Sequence, residues 1–239
     1  MTATRRTAVV AGVLYLVTHV TSIGGLALYG PVLSKSGYIV GSVTDTRMLL
    51  GAFLEVILAL AIVGTAVALY PVVKRQNEGV ALGYMGLRTL EAGIIAIGVV
   101  PLLAVVTLRQ HLTGTAGTDV VSLGNALVAF HNWTFLLGPS YVCGTNTVLI
   151  AYLMYRSGLV PRFIPVLGLI GGPLVFASGA AQMFGLFEQV SVWAAIAALP
   201  IFAWEVSLAL YLILKGFRPS AATRPDTSPV AAGVEPVAA

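Results

Sequence analysis

Predominantly apolar residues run through this chain in six long stretches, near Ala8 to Leu28, Met48 to Tyr70, Val80 to Leu108, Leu127 to Tyr155, Ile164 to Phe184 and Val192 to Leu214. Each is long enough to cross a hydrocarbon core, which takes about 20 helical residues. The runs are continuous and rich in Leu, Ala, Val and Gly; they do not alternate apolar and polar over ~10 residues, as the strands of a transmembrane β-barrel do. The expected fold is therefore all-α: a polytopic membrane bundle of six transmembrane helices over residues 1–216. The remainder, residues 217–239, is rich in Pro, Ala, Ser and Thr without apolar periodicity and reads as a disordered cytoplasmic tail.

Composition sharpens this picture. Hydrophobic residues make up 58% of the chain and charged residues 9%, against roughly 25% charged in soluble domains. Mean hydropathy is +0.94, and the expected surroundings are a lipid bilayer. The net charge of +4 does not point to nucleic acid, because Lys and Arg stand in pairs at the ends of apolar runs. One set of ends and loops holds Arg5, Arg6, Lys74, Arg75, Arg156, Arg162, Lys215, Arg218 and Arg224, while the other holds Lys35, Arg47 and Arg109. By the positive-inside rule both termini are expected in the cytoplasm, and six crossings, which return the chain to its starting side, are consistent with that. TRRTAVVAGVLYL has the twin arginines of an export signal, but the run reaches spanning length without an A-x-A-like cleavage site, so it reads as an uncleaved first helix. The segment Tyr29 to Arg47 is too short for a core of its own, and the single cysteine, Cys143, allows no intrachain disulfide.

Four charged residues fall inside the spans: Glu55, Arg88, Glu91 and Glu205. A charge at the bilayer centre costs at least ~2.5 to 3.5 kcal/mol, so such groups face the bundle interior and find partners. Counting from the cytoplasmic end of each helix, Arg88 lies about 12 Å deep, Glu205 about 14 Å, Glu91 about 17 Å and Glu55 about 22 Å. Arg88 and Glu91, three apart, share a helix face, and Glu205 reaches their level from the opposite direction. The expectation is a polar cluster in which Arg88 bridges Glu91 and Glu205, with Glu55 above. A guanidinium, with five donors in a fixed fork, is suited to holding two carboxylates. Three carboxylates face one arginine, so one is expected to be carried neutral, and Glu55 is the candidate. Arg47, Gly51 and Glu55 repeat at spacing four, which places Arg47 to offset Glu55 in part.

The fourth span is polar for a membrane helix. Pro139 after Gly138 predicts a kink, and Ser140, Thr145, Asn146 and Thr147 are placed to satisfy freed carbonyls or line water. His131 and Asn132 fall near the outer mouth, where a lone histidine reads either as hydrogen-bonded structure or as a ligand-facing group. Small residues four apart, Gly79/Gly83, Gly168/Gly172 and Ala177/Ala181, predict close helix packing. Trp133 and Trp193 fit an interfacial aromatic belt. The chain has no Walker-type loop, no H-E-x-x-H and no G-x-S-x-G. No metal, no cofactor and no enzymatic activity are expected.

LRTLEAGIIAIG, from Leu87 to Gly98, and AYLMYRSGLVPRFIPVLGLIGG, from Ala151 to Gly172, with His131 about twenty residues before the second, carry a resemblance. An arginine followed three residues later by Glu-Ala, a histidine opening the fourth helix, and an aromatic-Arg-Ser-Gly turn followed by Pro-Arg resemble the bacterial membrane family called domain of unknown function 4386. Here these are Arg88, Glu91, Ala92, His131, Tyr155, Arg156, Ser157, Gly158, Pro161 and Arg162. The resemblance covers Arg6 to Gly216 and implies a polytopic inner-membrane protein without an assigned activity. The proline in RFIPVLGL departs from the family pattern at the start of the fifth helix. Two functional readings stand. The Arg/Glu cluster lines a cavity that binds or transports a small solute or proton, or it is a clamp in a scaffold or partner subunit, for which a homo-oligomer is one form.

Overall fold

The computed structural model describes residues 3–33, 45–111 and 118–219. Lys35, Arg224, most of the tail and the middle of the Tyr29 to Arg47 segment lie outside the described residues. The described chain is helical throughout: α1 (Ala3–Leu33), α2 (Asp45–Val73), α3 (Glu78–Gln110), α4 (Thr118–Leu136), a π-helical turn (Leu137–Val142), α5 (Cys143–Ser157), α6 (Phe163–Met183) and α7 (Val192–Leu214). With α4, the π turn and α5 forming one continuous crossing, six helical stretches are long and apolar enough to span a membrane. Apolar side chains such as Val20, Leu60, Val67, Ile97, Val100 and Phe163 stand exposed on the outside of the bundle, as lipid contact requires.

Several helices run past the predicted apolar limits; α4 starts at Thr118, where the pattern pointed to Leu127. Helical hydrogen bonding does not stop where the hydrocarbon does, so polar residues extend the ends. Caps then set the limits. The Asn77 side chain accepts the Val80 N–H at 3.0 Å to start α3, and the Ser191 hydroxyl accepts the Ala194 N–H at 3.2 Å to start α7. Gly158, at φ 64°, closes α5 in the left-handed region that favours glycine. After it, Arg162 stacks over Tyr155 at 5.5 Å. The departing proline, Pro165, falls in the first turn of α6, where no intrahelical donor is needed from it.

Pro139 produces a π turn where a kink was predicted. It has no N–H to give, and the ladder resumes with the Cys143 N–H bonding the Gly138 carbonyl five residues back. In sequence neighbours along the bundle, α1 packs on α2 and α7, α2 on α3, α3 on α4 and α5, α5 on α6, and α6 on α7. Close approaches are made at glycine: a Cβ on Gly144 would lie 2.7 Å from the Gly172 carbonyl oxygen, and one on Gly172 2.6 Å from that of Gly144. Of the other predicted small pairs, Gly79 and Ala177 face outward; helix rotation, which spacing alone leaves open, decides this.

The main apolar core, including Ala8, Leu69, Val73, Leu159, Trp204 and Leu212, fills the half of the bundle that carries the α2–α3 and α5–α6 connections. That end is also tied by Arg5, which donates to the terminal carbonyls of Leu212 and Ile213 on α7, and by the Arg218 N–H on the Leu159 carbonyl at 2.8 Å. The opposite half is less filled, and the cavity described next lies there.

Candidate functional site

Arg88 sits midway across the bundle on α3 and is 2% exposed. Its Nη1 donates to Glu91 Oε2 at 3.0 Å, one helical turn along. Its Nε and Nη2 both donate to Thr65 Oγ1 on α2, at 3.3 and 3.2 Å, and the Thr65 hydroxyl in turn donates to the Ile62 carbonyl at 2.7 Å. The guanidinium lies over the Tyr15 ring of α1, 5.4 Å from its centroid, and the Tyr15 and Tyr84 hydroxyls are 3.2 Å apart. Glu91 also accepts from Asn146 Nδ2 of α5 at 2.7 Å. Arg88 and Glu91 are thus desolvated but paired, the condition under which buried charge is tolerated.

Glu205 on α7 is held differently. Its Oε1 is 3.9 Å from Arg88 Nη2, beyond hydrogen-bond length, and its Oε2 is 3.6 Å from His19 Nε2 on α1. His19 in turn makes a 3.0 Å bond through Nδ1 to the Tyr15 carbonyl and packs against the Phe202 ring at 5.0 Å. Glu205 is only partly buried.

These groups form the floor of a cavity of about 310 Å³, with Arg88, Glu91, His19 and Glu205 on its polar side. Leu58, Ile62, Ile95, Val175, Ile201 and Phe202 make apolar walls, and the π turn contributes Pro139 and Ser140. Away from the floor the lining turns polar at Ser178, Gln182 and Gln189. Gln182 and Gln189 also border a second cavity of about 360 Å³, lined by Asn132, Trp133 and Glu188 at the α6–α7 connection.

Of the predicted residues, Arg88, Glu91, Glu205 and Asn146 come together. Glu55 stays apart from them. It lies ten residues before Thr65 on α2, about 15 Å along the axis, and lines neither cavity. It is 2% exposed, its Oε2 has no hydrogen-bond partner among the described residues, and its polar neighbour is the Tyr29 hydroxyl. Tyr29 packs over Gly51, which leaves no room there for a Cβ, and meets His131 edge to face at 5.5 Å. His131 is buried, with Nδ1 on the Gly98 carbonyl at 2.9 Å. Arg47 is exposed two turns from Glu55 and makes no ion pair with it. On that side the ion pair is Arg109 with Asp45, at 3.3 Å. Asn132 lines the second cavity.

Sequence reasoning missed Thr65, Tyr15, Tyr84 and His19. The Tyr15/His19 spacing of four was a signal that both face one way; nothing in the sequence said which helix they face. Among the described residues no group of three or more His, Cys, Asp or Glu is arranged to hold a metal.

Six apolar crossings around a shared charged cluster define a polytopic α-helical membrane protein. The chain belongs to the family described as domain of unknown function (DUF4386), whose model matches residues 10–216 and so takes in nearly all of the bundle and every residue of the cluster. No curated protein and no solved structure matches it.

Proposed function

We propose that this protein binds a small solute in the central cavity and moves it, or a proton with it, across the cytoplasmic membrane, with both termini in the cytoplasm. The observation that carries this is the cavity itself: the Arg88/Glu91/Glu205 cluster is one wall of a 310 Å³ space, within the size range of small-molecule sites. A clamp needs no such space beside it. The sealed, arginine-rich end and the polar lining toward the α6–α7 connection support a cavity facing outward, away from the cytoplasm.

The scaffold reading draws on a specific feature too. Arg88 and its partners join α1, α2, α3, α5 and α7, which is how a buried network specifies helix pairing. The two readings part at the cavity. A thermal-shift screen of small polar and amphipathic solutes against purified protein, repeated with Ala198→Phe to fill the space from α7, separates them. Stabilisation by a solute in the wild type that Ala198→Phe removes supports binding. A protein that no solute stabilises, and that purifies as a defined oligomer, supports the scaffold.

A further inference from the structure

Resting on that solute-binding reading, we infer that the cavity takes a monovalent organic cation, an ammonium group on a compact apolar body, in exchange for a proton held between His19 and Glu205. The sign of the ligand follows from counting charge at the floor. Arg88 gives three of its five N–H groups, from Nε and Nη2 to Thr65 and from Nη1 to Glu91, and lays one face of its guanidinium over the Tyr15 ring. Glu91 is committed to Arg88 and Asn146. Arg88 and Glu91 cancel, and Glu205 remains, bordering the cavity with ion-pair approaches of 3.6 Å to His19 and 3.9 Å to Arg88 but no hydrogen bond among the described residues. An anion entering this space would meet that carboxylate, and the Arg88 charge beside it is already paired with Glu91. A cation completes it.

Before a cation enters, Glu205 must be balanced some other way. His19 Nδ1 lies 3.0 Å from the Tyr15 carbonyl, which only accepts, so Nδ1 carries a hydrogen. A neutral ring would then turn the Nε2 lone pair toward Glu205 Oε2 at 3.6 Å, two acceptors facing each other. One proton between them, whichever atom holds it, removes the repulsion and leaves the floor neutral. The other titratable or charged groups around this pair are Tyr15 on α1, Tyr84, Arg88 and Glu91 on α3, and Cys143 on α5. Bringing in an ammonium makes the proton redundant: the cation enters, the proton leaves to solvent, and the net charge is unchanged.

The walls choose an organic cation over a metal ion. Six or more oxygen ligands are what a hard cation wants, whereas Leu58, Ile62, Ile95, Val175 and Ile201 are hydrocarbon. Phe202 and Phe135 add aromatic faces, which attract ammonium groups. Glu188, at the outer cavity, gives the path the same sign.

The test is calorimetric titration of the purified full-length protein in lipid-supplemented detergent with benzyltrimethylammonium, run in two buffers of different ionisation enthalpy to count protons. Benzenesulfonate and benzyl alcohol serve as anionic and neutral probes. The expected result is saturable binding of benzyltrimethylammonium with about one proton released per cation, a number read on wild type and so independent of how any variant folds. Glu205→Gln should weaken binding by about tenfold or more and abolish the release. Binding of benzyltrimethylammonium without proton release overturns the exchange. Saturable binding of benzenesulfonate or benzyl alcohol in its place overturns the cation and leaves the solute reading standing. Silence from all three probes overturns the cation and counts against the solute reading as well.

Discussion

Arg88 is the residue on which most of the interior depends, since it touches α1, α2 and α7 as well as its own helix. Breaking a buried pair from one side costs about 3–5 kcal/mol, and a chain of this size shifts by about 2–4 °C per kcal/mol. Arg88→Met should therefore lower the thermal midpoint by roughly 10 °C. Glu91→Gln, which keeps the Asn146 contact, should cost less, and the double variant should recover part of the loss; differential scanning fluorimetry in detergent with added lipid reads all three. Equal midpoints across the series would mean the pair does not hold the fold. The Arg88/Glu91 contact was legible in the sequence because both residues are on one helix, where spacing fixes geometry. Contacts to Thr65 and Tyr15 were not, because threonine and tyrosine are ordinary in membrane helices and their facing depends on rotation of separate helices. Glu55 shows the same limit: its depth could be counted, but its neighbour Tyr29 is set by how α1 leans on α2.

The π turn is the element that shapes the site. By adding a residue to the turn, Leu137–Val142 brings Pro139 and Ser140 onto the cavity while Gly138 packs against Ile94 of α3. That Pro139 would disturb the helix was readable from the Gly-Pro pair, but the π turn was not, because a missing N–H allows several local repairs. On the other side of this crossing, Gly144 and Gly172 let α5 and α6 touch backbone to backbone. Gly172→Ala places a methyl 2.6 Å from the Gly144 carbonyl oxygen, and overpacking of this kind costs about 1–3 kcal/mol. The expected outcome is a midpoint lowered by about 2–12 °C, while Gly86→Ala should leave it equal or slightly raised, since nothing lies near that glycine and alanine is the better helix former.

At the scale of the whole molecule, the six crossings were legible because hydrophobic length alone sets them, and the charge bias between the two ends was visible because it is a count of Lys and Arg between them. The cavity was not legible: it is the space left where the main core stops, and its existence depends on how all the helices lean together. Cysteines introduced singly at Arg75 and Ser157 in a Cys143→Ser background should label from one side of sealed vesicles, and one at Glu188 from the other. Labelling of all three from the same side would contradict the six-crossing arrangement.

The most direct measurement is solvent access to the cavity. In the Cys143→Ser background, Ser140→Cys places a thiol on the cavity wall within the π turn, and its modification by methanethiosulfonate ethyltrimethylammonium can be timed in proteoliposomes. A cavity that receives a solute from the α6–α7 side predicts modification by reagent added on the side that labels Glu188→Cys, slowed when a bound solute fills the space. A Ser140→Cys thiol that stays unmodified in folded protein while Glu188→Cys reacts would contradict it, and the charged cluster would then be a clamp in a closed bundle.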